Sequence, residues 1–403
     1  MLLYRFLMTL LATKDVTARL LAGDRKTVQA RLGRVPAGSR ANRIWLHAAS
    51  NGELTSARPV LERLVARGHS LLITVNTDSA LALARGWALE NTAVLPAPVD
   101  LPGPTRRVIA AWQVTAHITL ESDLWPCRIL ATPGPVLVLG GRLTERSARG
   151  WARFESLSRR VLGKVAYLSA QDGASADRFE NLGLSPSARG PVVDLKALYT
   201  PPQTAPDAAL QRAFDRTRTW LAASTHEGED EIVLDAHKTA LSTWPNLKLI
   251  LAPRHPKRAE AIEALIRSRG LTCARRSSGD APDAQVYLAD TFGEMHLWYT
   301  LAGVTFVAGS LTDRGGHTPY EPAAFGSALL HGPDTANFGA AYQRLTDAEA
   351  AICVTDSASL ADALCDLQTP GKQAALARAA QDAVHQDTDL DGLMRDILSH
   401  LDA

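Results

Sequence analysis

The chain alternates short apolar runs with amphipathic helical stretches along most of its length, and this alternation constrains the fold more than any other feature. In the first half the apolar runs are RIWLHA, SLLITV, AHITLE, PVLVLG and KVAYLS. Continuous apolar runs of this length are typical of parallel strands that crossover helices bury on both faces. Between the first two runs, Leu54, Leu61 and Val65 recur at helical spacing, and Gly68 is placed to end that helix. The first half is therefore predicted to be an α/β domain.

The alternation is interrupted once and then resumes. Residues 196–209, KALYTPPQTAPDAA, contain three prolines and no apolar period, which indicates a linker. The runs that follow are TWLAAS, LKLILAP, QVYLAD, GVTFVAGS, SALLHG and AAICVTD, and helical stretches end the chain. We predict a first domain over residues 1–195 and a second over 210–403 that includes the C-terminal helices. Two such open parallel sheets are expected to face each other across a ligand-binding cleft.

The N-terminal segment combines an apolar run with strong positive charge. Residues 1–43 carry nine basic and two acidic side chains and open with MLLYRFLMTLLA, which Arg5 interrupts. A spanning helix needs about 20 apolar residues, so this segment is predicted to lie on an anionic membrane surface instead. Two alternatives stay open. One is a cleaved signal peptide, although no small-residue cleavage site follows and the charges come after the apolar run. The other is a helix packed on its own domain.

Several ligand classes have no support in the sequence. Neither half carries G-x-G-x-x-G after its first strand or G-x-x-x-x-G-K-[ST], and there is no H-E-x-x-H. The four cysteines are too far apart for a metal site or a disulfide framework, which favours a reduced, cytosolic compartment. We expect no cofactor, no metal ion and no nucleic-acid partner.

Short polar clusters follow the predicted strands, where βα loops should lie. They are SNGE, ESDLWP, GGRLTERS, STHEGEDE, PRHPKR, DTFGEM and GSLTDRGGHTPYEPAAFG. Any one of them can be turn chemistry with helix capping, and Glu53 in SNGE suits the first turn of a helix. In order and spacing, however, they closely resemble the Kdo transferases, which move 3-deoxy-D-manno-octulosonic acid (Kdo) from CMP-Kdo onto a lipid A precursor. The resemblance runs from about residue 30 to about residue 340, and STHEGEDE, LAPRHP and GGHTPYEPA are its most specific parts.

The resemblance implies an α/β GT-B glycosyltransferase with two Rossmann-like domains, the acceptor domain first and the nucleotide-sugar domain second. It implies an inverting reaction without a required metal, in which Glu53 is the general base. Glu121, which opens ESDLWP, matches a second functional carboxylate of the family. If Ser50 or Asn51 caps the helix, the side chain of Glu53 should be free for substrate. For Glu121 the alternative is an ordinary acid in the first turn of a helix.

The resemblance also places the donor contacts in three loops. They are Pro253 and Arg254, then Gly293, Glu294 and Met295, and finally Thr318, Pro319, Tyr320 and Glu321. Arg254 is expected to neutralise an anionic group of the donor, and Glu321 to accept hydrogen bonds from ribose hydroxyls. The Gly315-Gly316 turn is expected to offer backbone N–H groups to an anion.

Three histidines, His226, His255 and His317, fall in the same clusters as these donor contacts. For each of them, holding a loop and contacting substrate are equally open alternatives. The partners expected from the resemblance are CMP-Kdo and a phosphorylated lipid A precursor. The third expected partner is an anionic inner-membrane surface. The protein is expected to bind it from the cytoplasmic side, as a peripheral protein.

The sequence also departs from the family pattern near the expected reacting centre. Pro191 and Val193 stand where the family has the asparagine and lysine of Gly-Asn-x-Lys, and Lys196 lies three residues further on. Thr318 replaces an asparagine, and Gly140 and Cys127 also differ from the family motifs. Two alternatives therefore stay open, a divergent relative that uses another activated acidic sugar and an inactive homologue. A two-lobed binding protein is a third alternative, but it does not account for a base facing anion-binding loops.

Overall fold

The computed structural model describes residues 1–36, 43–201, 205–384 and 389–402. Strands and helices alternate through these ranges, which confirms the α/β prediction. The strands are β1 Arg43–Ala48, β2 Ser70–Val75, β3 Thr92–Pro96, β4 Val114–Leu120, β5 Val136–Gly141, β6 Val165–Ala170, β7 Thr219–Thr225, β8 Lys248–Pro253, β9 Cys273–Arg275, β10 Val286–Leu288, β11 Val304–Val307, β12 Ala328–His331 and β13 Ala351–Cys353.

Helices connect nearly all of these strands and cover both faces of the sheets. The α-helices are α1 Leu2–Leu21, α2 Arg25–Arg31, α3 Asn51–Ala66, α4 Asp78–Gly86, α5 Pro102–Trp112, α6 Pro126–Ala131, α7 Glu145–Ala152, α8 Glu155–Leu162, α9 Gly173–Asn181, α10 Ala208–Ala213, α11 Glu229–Ala240, α12 Ala259–Ser268, α13 Met295–Leu301, α14 Tyr320–Ala324, α15 Gly339–Asp347, α16 Ser357–Asp366, α17 Pro370–Val384 and α18 Leu390–Leu401. Short 3₁₀-helices lie at Pro186–Ala188, Leu195–Leu198, Arg216–Arg218, Pro256–Arg258 and Ala336–Phe338.

The first sheet has six parallel strands in the order β3-β2-β1-β4-β5-β6. The chain moves outward from β1 to β3 and then returns to place β4 on the other side of β1. The loops after β1 and β4 therefore leave in opposite directions and open a crevice at the carboxyl ends of these two strands. β1 and β2 are buried along their whole length, in agreement with their continuous apolar sequences.

The second sheet has seven parallel strands in the order β13-β12-β11-β7-β8-β10-β9. Here the strand order reverses between β7 and β11, so the corresponding crevice lies at the carboxyl ends of these two strands. The loops after β7, β8, β10 and β11 emerge at one edge of the sheet because all the strands are parallel. This edge carries the polar clusters that the sequence places after these strands.

The chain forms two compact units, and the boundary differs from the predicted one at the C-terminus. The described residues of 1–198 and the last helix, α18, form one unit, and those of 199–386 form the other. Leu393, Ile397 and Leu398 of α18 belong to the apolar core of the first sheet. The prediction that all of 210–403 belongs to the second domain is therefore wrong for α18. The unit boundary falls within the predicted linker, of which residues 202–204 lie outside the described ranges.

The N-terminal helix α1 lies on the first unit with no fully buried residue. The Tyr4 hydroxyl donates a hydrogen bond to Asp100 Oδ2 at 2.6 Å, and Arg31 pairs with Asp15 at 3.2 Å. Of the helices in the described ranges, none is both long enough and apolar enough to cross a bilayer. Arg40, one of the nine basic residues of the segment, lies outside the described residues.

Candidate active site

Glu53 lies just after β1, in the first turn of α3, beside the crevice of the first sheet. Ser50 caps the helix as predicted, because its hydroxyl oxygen accepts a hydrogen bond from the Glu53 N–H at 3.3 Å. The prediction that the Glu53 side chain is free is wrong. Its Oε2 accepts the Ala49 N–H at 2.7 Å, and its Oε1 accepts the Ser50 hydroxyl at 3.3 Å. These bonds orient the carboxylate, and each oxygen keeps a second lone pair for a substrate hydroxyl.

The surroundings of Glu53 favour a neutral carboxyl group. Burial is the largest cause, and it raises the pKa of Glu53 to about 7. The negative charges of Glu121 and Asp123 add to this increase, whereas the Ala49 N–H and the charge of Lys196 oppose it. A general base works best when its pKa lies near the working pH. The electrostatics of this position therefore suit proton transfer and not merely helix capping.

Glu121 follows β4 directly, on the other side of the same crevice, and it has an unusual backbone. Its φ is +49°, a left-handed conformation that non-glycine residues adopt rarely and that is often found at functional sites. Its Oε1 lies 2.6 Å from Nζ of Lys196, and both side chains are largely shielded from solvent. Lys196 therefore places a positive charge beside Glu121. Val193 itself is buried in the apolar core of the first sheet.

A buried histidine–aspartate pair borders the same crevice, and the sequence analysis did not identify it. His47 of β1 lies 3.1 Å from Asp123 through Nε2 and contacts the Thr74 carbonyl through Nδ1 at 2.9 Å. Burial and the nearby Arg128 lower the pKa of His47 to about 4. Burial alone would raise the pKa of Asp123, but the bonds and charges of His47 and Arg128 lower it. Asp123 therefore stays ionised and adds negative charge near Glu53.

In the second unit, one buried carboxylate fixes the two loops beside the crevice of the second sheet. Glu229 is fully buried at the start of α11. Its two oxygens accept the backbone N–H groups of His226, Gly309, Ser310 and Leu311 at 2.8–3.1 Å. Because His226 follows β7 and the other three follow β11, Glu229 ties the two loops together. The sequence shows Glu229 only as one of several acids in STHEGEDE.

Two of the three histidines from the polar clusters meet at this edge. The Nε2 atoms of His226 and His317 are 3.0 Å apart, and their rings are nearly parallel, at 9°. His255 lies edge-on to His226, with ring centroids 6.0 Å apart. Burial lowers the pKa of His317 to about 4 and also lowers that of His226. At neutral pH the Nε2–H of one ring donates a hydrogen bond to the Nε2 of the other, so the pair holds the two loops together.

The other predicted donor contacts lie at the same edge, and several are already engaged. Pro253 ends β8 and Arg254 is exposed just after it. Glu294 follows β10 and pairs with Arg276 at 2.7 Å, and Met295 begins α13. Gly293 has a φ of +84°, which glycine adopts readily.

The third donor segment runs from Thr318 into α14. The hydroxyl of Tyr320 accepts a hydrogen bond from Arg344 at 2.8 Å. Pro319 precedes the helix, and burial raises the pKa of Glu321 in its first turn. These contacts hold the segment in place and leave Thr318 partly exposed.

The predicted role of the Gly315-Gly316 turn is wrong. The Gly315 N–H donates to Asp334 at 2.6 Å and the Gly316 N–H donates to the Gly309 carbonyl at 2.7 Å. Both amides therefore hold the loop and are not available to an anion. Both residues need to be glycine because their φ angles are +78° and +72°, and a Cβ at Gly316 would lie 2.9 Å from the Asp334 carbonyl.

Within the described ranges, no three His, Cys, Asp or Glu side chains come together in a way that could hold a metal ion. In the first unit the arrangement instead offers a partly buried carboxylate of raised pKa beside an ion pair, which suits proton transfer. In the second unit it offers loops rich in histidine and arginine, which suit a negatively charged ligand.

Comparison with known proteins assigns the chain to a family. The family profile described as "3-Deoxy-D-manno-octulosonic-acid transferase (kdotransferase)" matches residues 26–198. A 3-deoxy-D-manno-octulosonic acid transferase of Haemophilus influenzae is 33% identical over 337 residues, which cover 80% of this chain and 77% of that protein. The chain belongs to the Kdo transferase family. The enzyme of the same description from Bordetella pertussis is 31% identical, over 87% of this chain and 86% of that protein.

The fold of this family member is also found in solved structures of low sequence identity. A glycosyltransferase from Rickettsia africae superposes with a TM-score of 0.60 at 12% identity, covering 90% of this chain and 98% of that chain. Such a likeness concerns the fold alone. Together with the two parallel sheets, it confirms the predicted GT-B class with two Rossmann-like domains.

The raised pKa of Glu53 predicts a pH-dependent difference in stability that needs no substrate. The unfolded chain loses the Glu53 proton near pH 4.5, whereas the folded protein keeps it until about pH 7. The free energy of unfolding of the wild type should therefore fall as the pH rises through this window. Glu53→Gln lacks this loss, so its stability relative to the wild type should increase from pH 4.5 to 7 and then level off. Urea unfolding at a series of pH values measures this difference.

Glu62→Gln is the matched control, because Glu62 lies on the exposed side of the same helix. A Glu53→Gln difference that is independent of pH, or that follows the Glu62→Gln curve, would contradict the raised pKa.

The ion pair between Lys196 and Glu121 predicts opposite shifts of the Glu53 pKa. Lys196→Ala removes a positive charge that lowers this pKa, so it should rise further above 7. Glu121→Gln removes a negative charge that raises it, so the pKa should fall. Carbon-13 NMR of the Glu53 carboxyl group measures both shifts directly. Lys196→Arg keeps the charge and should stay close to the wild type. If the two neutralising variants move the pKa in the same direction, Lys196 and Glu121 do not act on Glu53 as described.

Proposed function

We propose that the protein transfers Kdo from CMP-Kdo to a lipid A precursor in lipopolysaccharide synthesis, with Glu53 as the general base. The observation that carries the proposal is the partly buried Glu53 carboxylate, which Ala49 and Ser50 orient and whose pKa is raised to about 7. The family relationship supports the choice of substrates, since the relatives are described as 3-deoxy-D-manno-octulosonic acid transferases.

In the proposed step, Glu53 takes the proton of an acceptor sugar hydroxyl. The hydroxyl oxygen forms a bond to the anomeric carbon of Kdo while the bond from that carbon to the CMP phosphate oxygen breaks. CMP leaves with the electron pair, and the configuration at the anomeric carbon is inverted. Glu53 needs to be ionised to accept the proton, and a pKa near 7 makes this form available at neutral pH.

Lys196 has a supporting role in this proposal. Its ammonium group lies 2.6 Å from Oε1 of Glu121. Glu121 follows β4, the strand beside β1. A fixed cation in a shielded site stabilises negative charge that develops during a reaction. Because Lys196 supplies a charge at this position, the absence of a lysine at Val193 does not by itself favour an inactive homologue.

For the second unit we propose donor binding by the loops after β8, β10 and β11. Arg254 is an exposed cation of this edge, suited to the CMP phosphate or the Kdo carboxylate. The His226–His317 pair and the buried Glu229 hold the loop after β11 against the loop after β7 before the donor binds. Preformed loops lower the ordering cost of binding a flexible nucleotide sugar.

We also propose that the protein works at the cytoplasmic face of the inner membrane, as a peripheral protein attached through α1. In the first half of this helix six large apolar side chains are exposed, with 49–84% of their surface accessible: Leu2, Leu3, Phe6, Leu7, Leu10 and Leu11. We call these six residues the α1 stripe. A helix that is held by its opposite side and exposes such a stripe suits the boundary between headgroups and acyl chains. No nucleic acid is part of this proposal.

Loss of the base predicts a large kinetic effect. Glu53→Gln keeps the shape of the side chain but cannot accept a proton, so turnover should fall by roughly 10² to 10⁴. Release of CMP in the presence of acceptor measures turnover, and calorimetric titration with CMP shows whether donor binding is kept. Turnover within a few-fold of the wild type, with CMP binding intact, would remove Glu53 from the mechanism.

The α1 stripe predicts membrane binding that depends on both apolar surface and charge. The protein should sediment with anionic vesicles at low salt and be largely released at 1 M salt, where surface charges are screened beyond about 3 Å. Leu3→Ser, Leu7→Ser and Leu10→Ser combined should reduce binding even at low salt. Each substitution removes on the order of 1 kcal/mol of apolar burial.

Thr13→Ala combined with Thr17→Ala, at exposed polar positions of the same helix, is the control and should bind like the wild type. Equal sedimentation of the serine variant and the wild type would show that the α1 stripe does not contact the membrane.

A further inference from the structure

A second surface of the first unit combines exposed arginines with an exposed aromatic ring. Residues 142–164 contain seven basic and two acidic side chains. Helices α7 and α8 are formed by this segment, and α7 has no buried residue. We call residues 146–160 the α7–α8 corner. Its exposed basic residues are Arg146, Arg149, Arg153, Arg159 and Arg160.

The aromatic ring of the corner lies between the two helices. Phe154 keeps 51% of its surface accessible, although it is one of the largest apolar side chains of the segment. The single acid of the corner, Glu155, pairs with Arg159 at 2.9 Å and does not neutralise the other four arginines. The corner therefore presents an aromatic ring surrounded by net positive charge.

The position of the corner connects it with α1. Met1 lines one cavity of about 320 Å³ together with Arg153, Phe154, Leu157 and Arg160. The corner therefore adjoins the first residues of the α1 stripe, where Leu2 is 84% exposed. Arg153 and Arg160 of the corner thus lie next to the N-terminal end of α1.

We propose that the α7–α8 corner is a second membrane contact, which binds the phosphate groups of anionic phospholipids next to the α1 stripe. This inference rests on the proposed attachment through α1. Guanidinium groups form paired hydrogen bonds with phosphate, and phenylalanine side chains enter the interfacial region of a bilayer. Two contacts on neighbouring elements fix the orientation of a peripheral protein, whereas a single helix leaves it free to rotate about that helix.

The test uses the full-length protein and phosphatidylcholine vesicles with and without phosphatidylglycerol, in the absence of acceptor. Arg149→Glu combined with Arg153→Glu should weaken binding to the anionic vesicles at least tenfold, because each basic residue near such a surface strengthens binding about fivefold. Phe154→Ser should weaken binding to both kinds of vesicle. Arg212→Glu combined with Arg378→Glu, at exposed positions of the second unit, makes the same change in net charge and should alter binding less than twofold.

The inference would be overturned if the corner variants bind anionic vesicles as well as the charge control does. It would also be overturned if the wild type binds no vesicles, or if the variants lose affinity for a single-stranded RNA probe but not for vesicles. If the corner binds only the phosphates of the acceptor, the corner variants should have a higher KM for detergent-dispersed acceptor and unchanged vesicle binding, which would also overturn the inference.

Kdo transfer is measured separately in detergent. Its absence from the wild type would contradict the proposed function. Normal transfer with unchanged vesicle binding of the corner variants would contradict the inference alone.

Discussion

The functional arrangement depends on the parallel direction of every strand in both sheets. Parallel strands deliver all their following loops to one edge, and the reversal of strand order opens a crevice there. In the first sheet the reversal separates β1 from β4, which are followed by Glu53 and Glu121. In the second sheet it separates β7 from β11, whose loops carry His226 and His317. The topology of each sheet thus brings residues that are far apart in the sequence to the same edge.

Glu229 and Glu53 are carboxylates with different roles in the two units. Glu229 accepts four backbone N–H groups, so its charge is fully used in holding two loops together. Glu53 accepts one backbone N–H and one hydroxyl, while Glu121 and Asp123 add negative charge nearby. Glu229 therefore has a structural role, whereas burial and the neighbouring negative charges raise the pKa of Glu53 to about 7. The positive charge of Lys196 partly offsets these negative charges and so limits the increase in the pKa of Glu53.

The sequence was informative where structure is local. Eleven of the thirteen strands in the described ranges were predicted from apolar runs, and the two that were missed are Thr92–Pro96 and Cys273–Arg275. The first has no fully buried residue and ends on proline, which central strands avoid, and the second has only three residues, of which one is buried. Motif resemblance gave the family and the positions of Glu53 and Glu121. It could not show the bonds of Glu53, the internal use of the Gly315-Gly316 amides or the packing of α18, because each depends on contacts between distant segments.

The most direct test of the account is the mass of the lipid product. The full-length protein is incubated with CMP-Kdo and a tetraacylated lipid A precursor, and the lipid fraction is weighed by mass spectrometry. We predict a mass gain equal to one or more Kdo residues, dependent on CMP-Kdo. An unchanged lipid mass, under conditions in which another Kdo transferase gives product, would contradict the proposed activity.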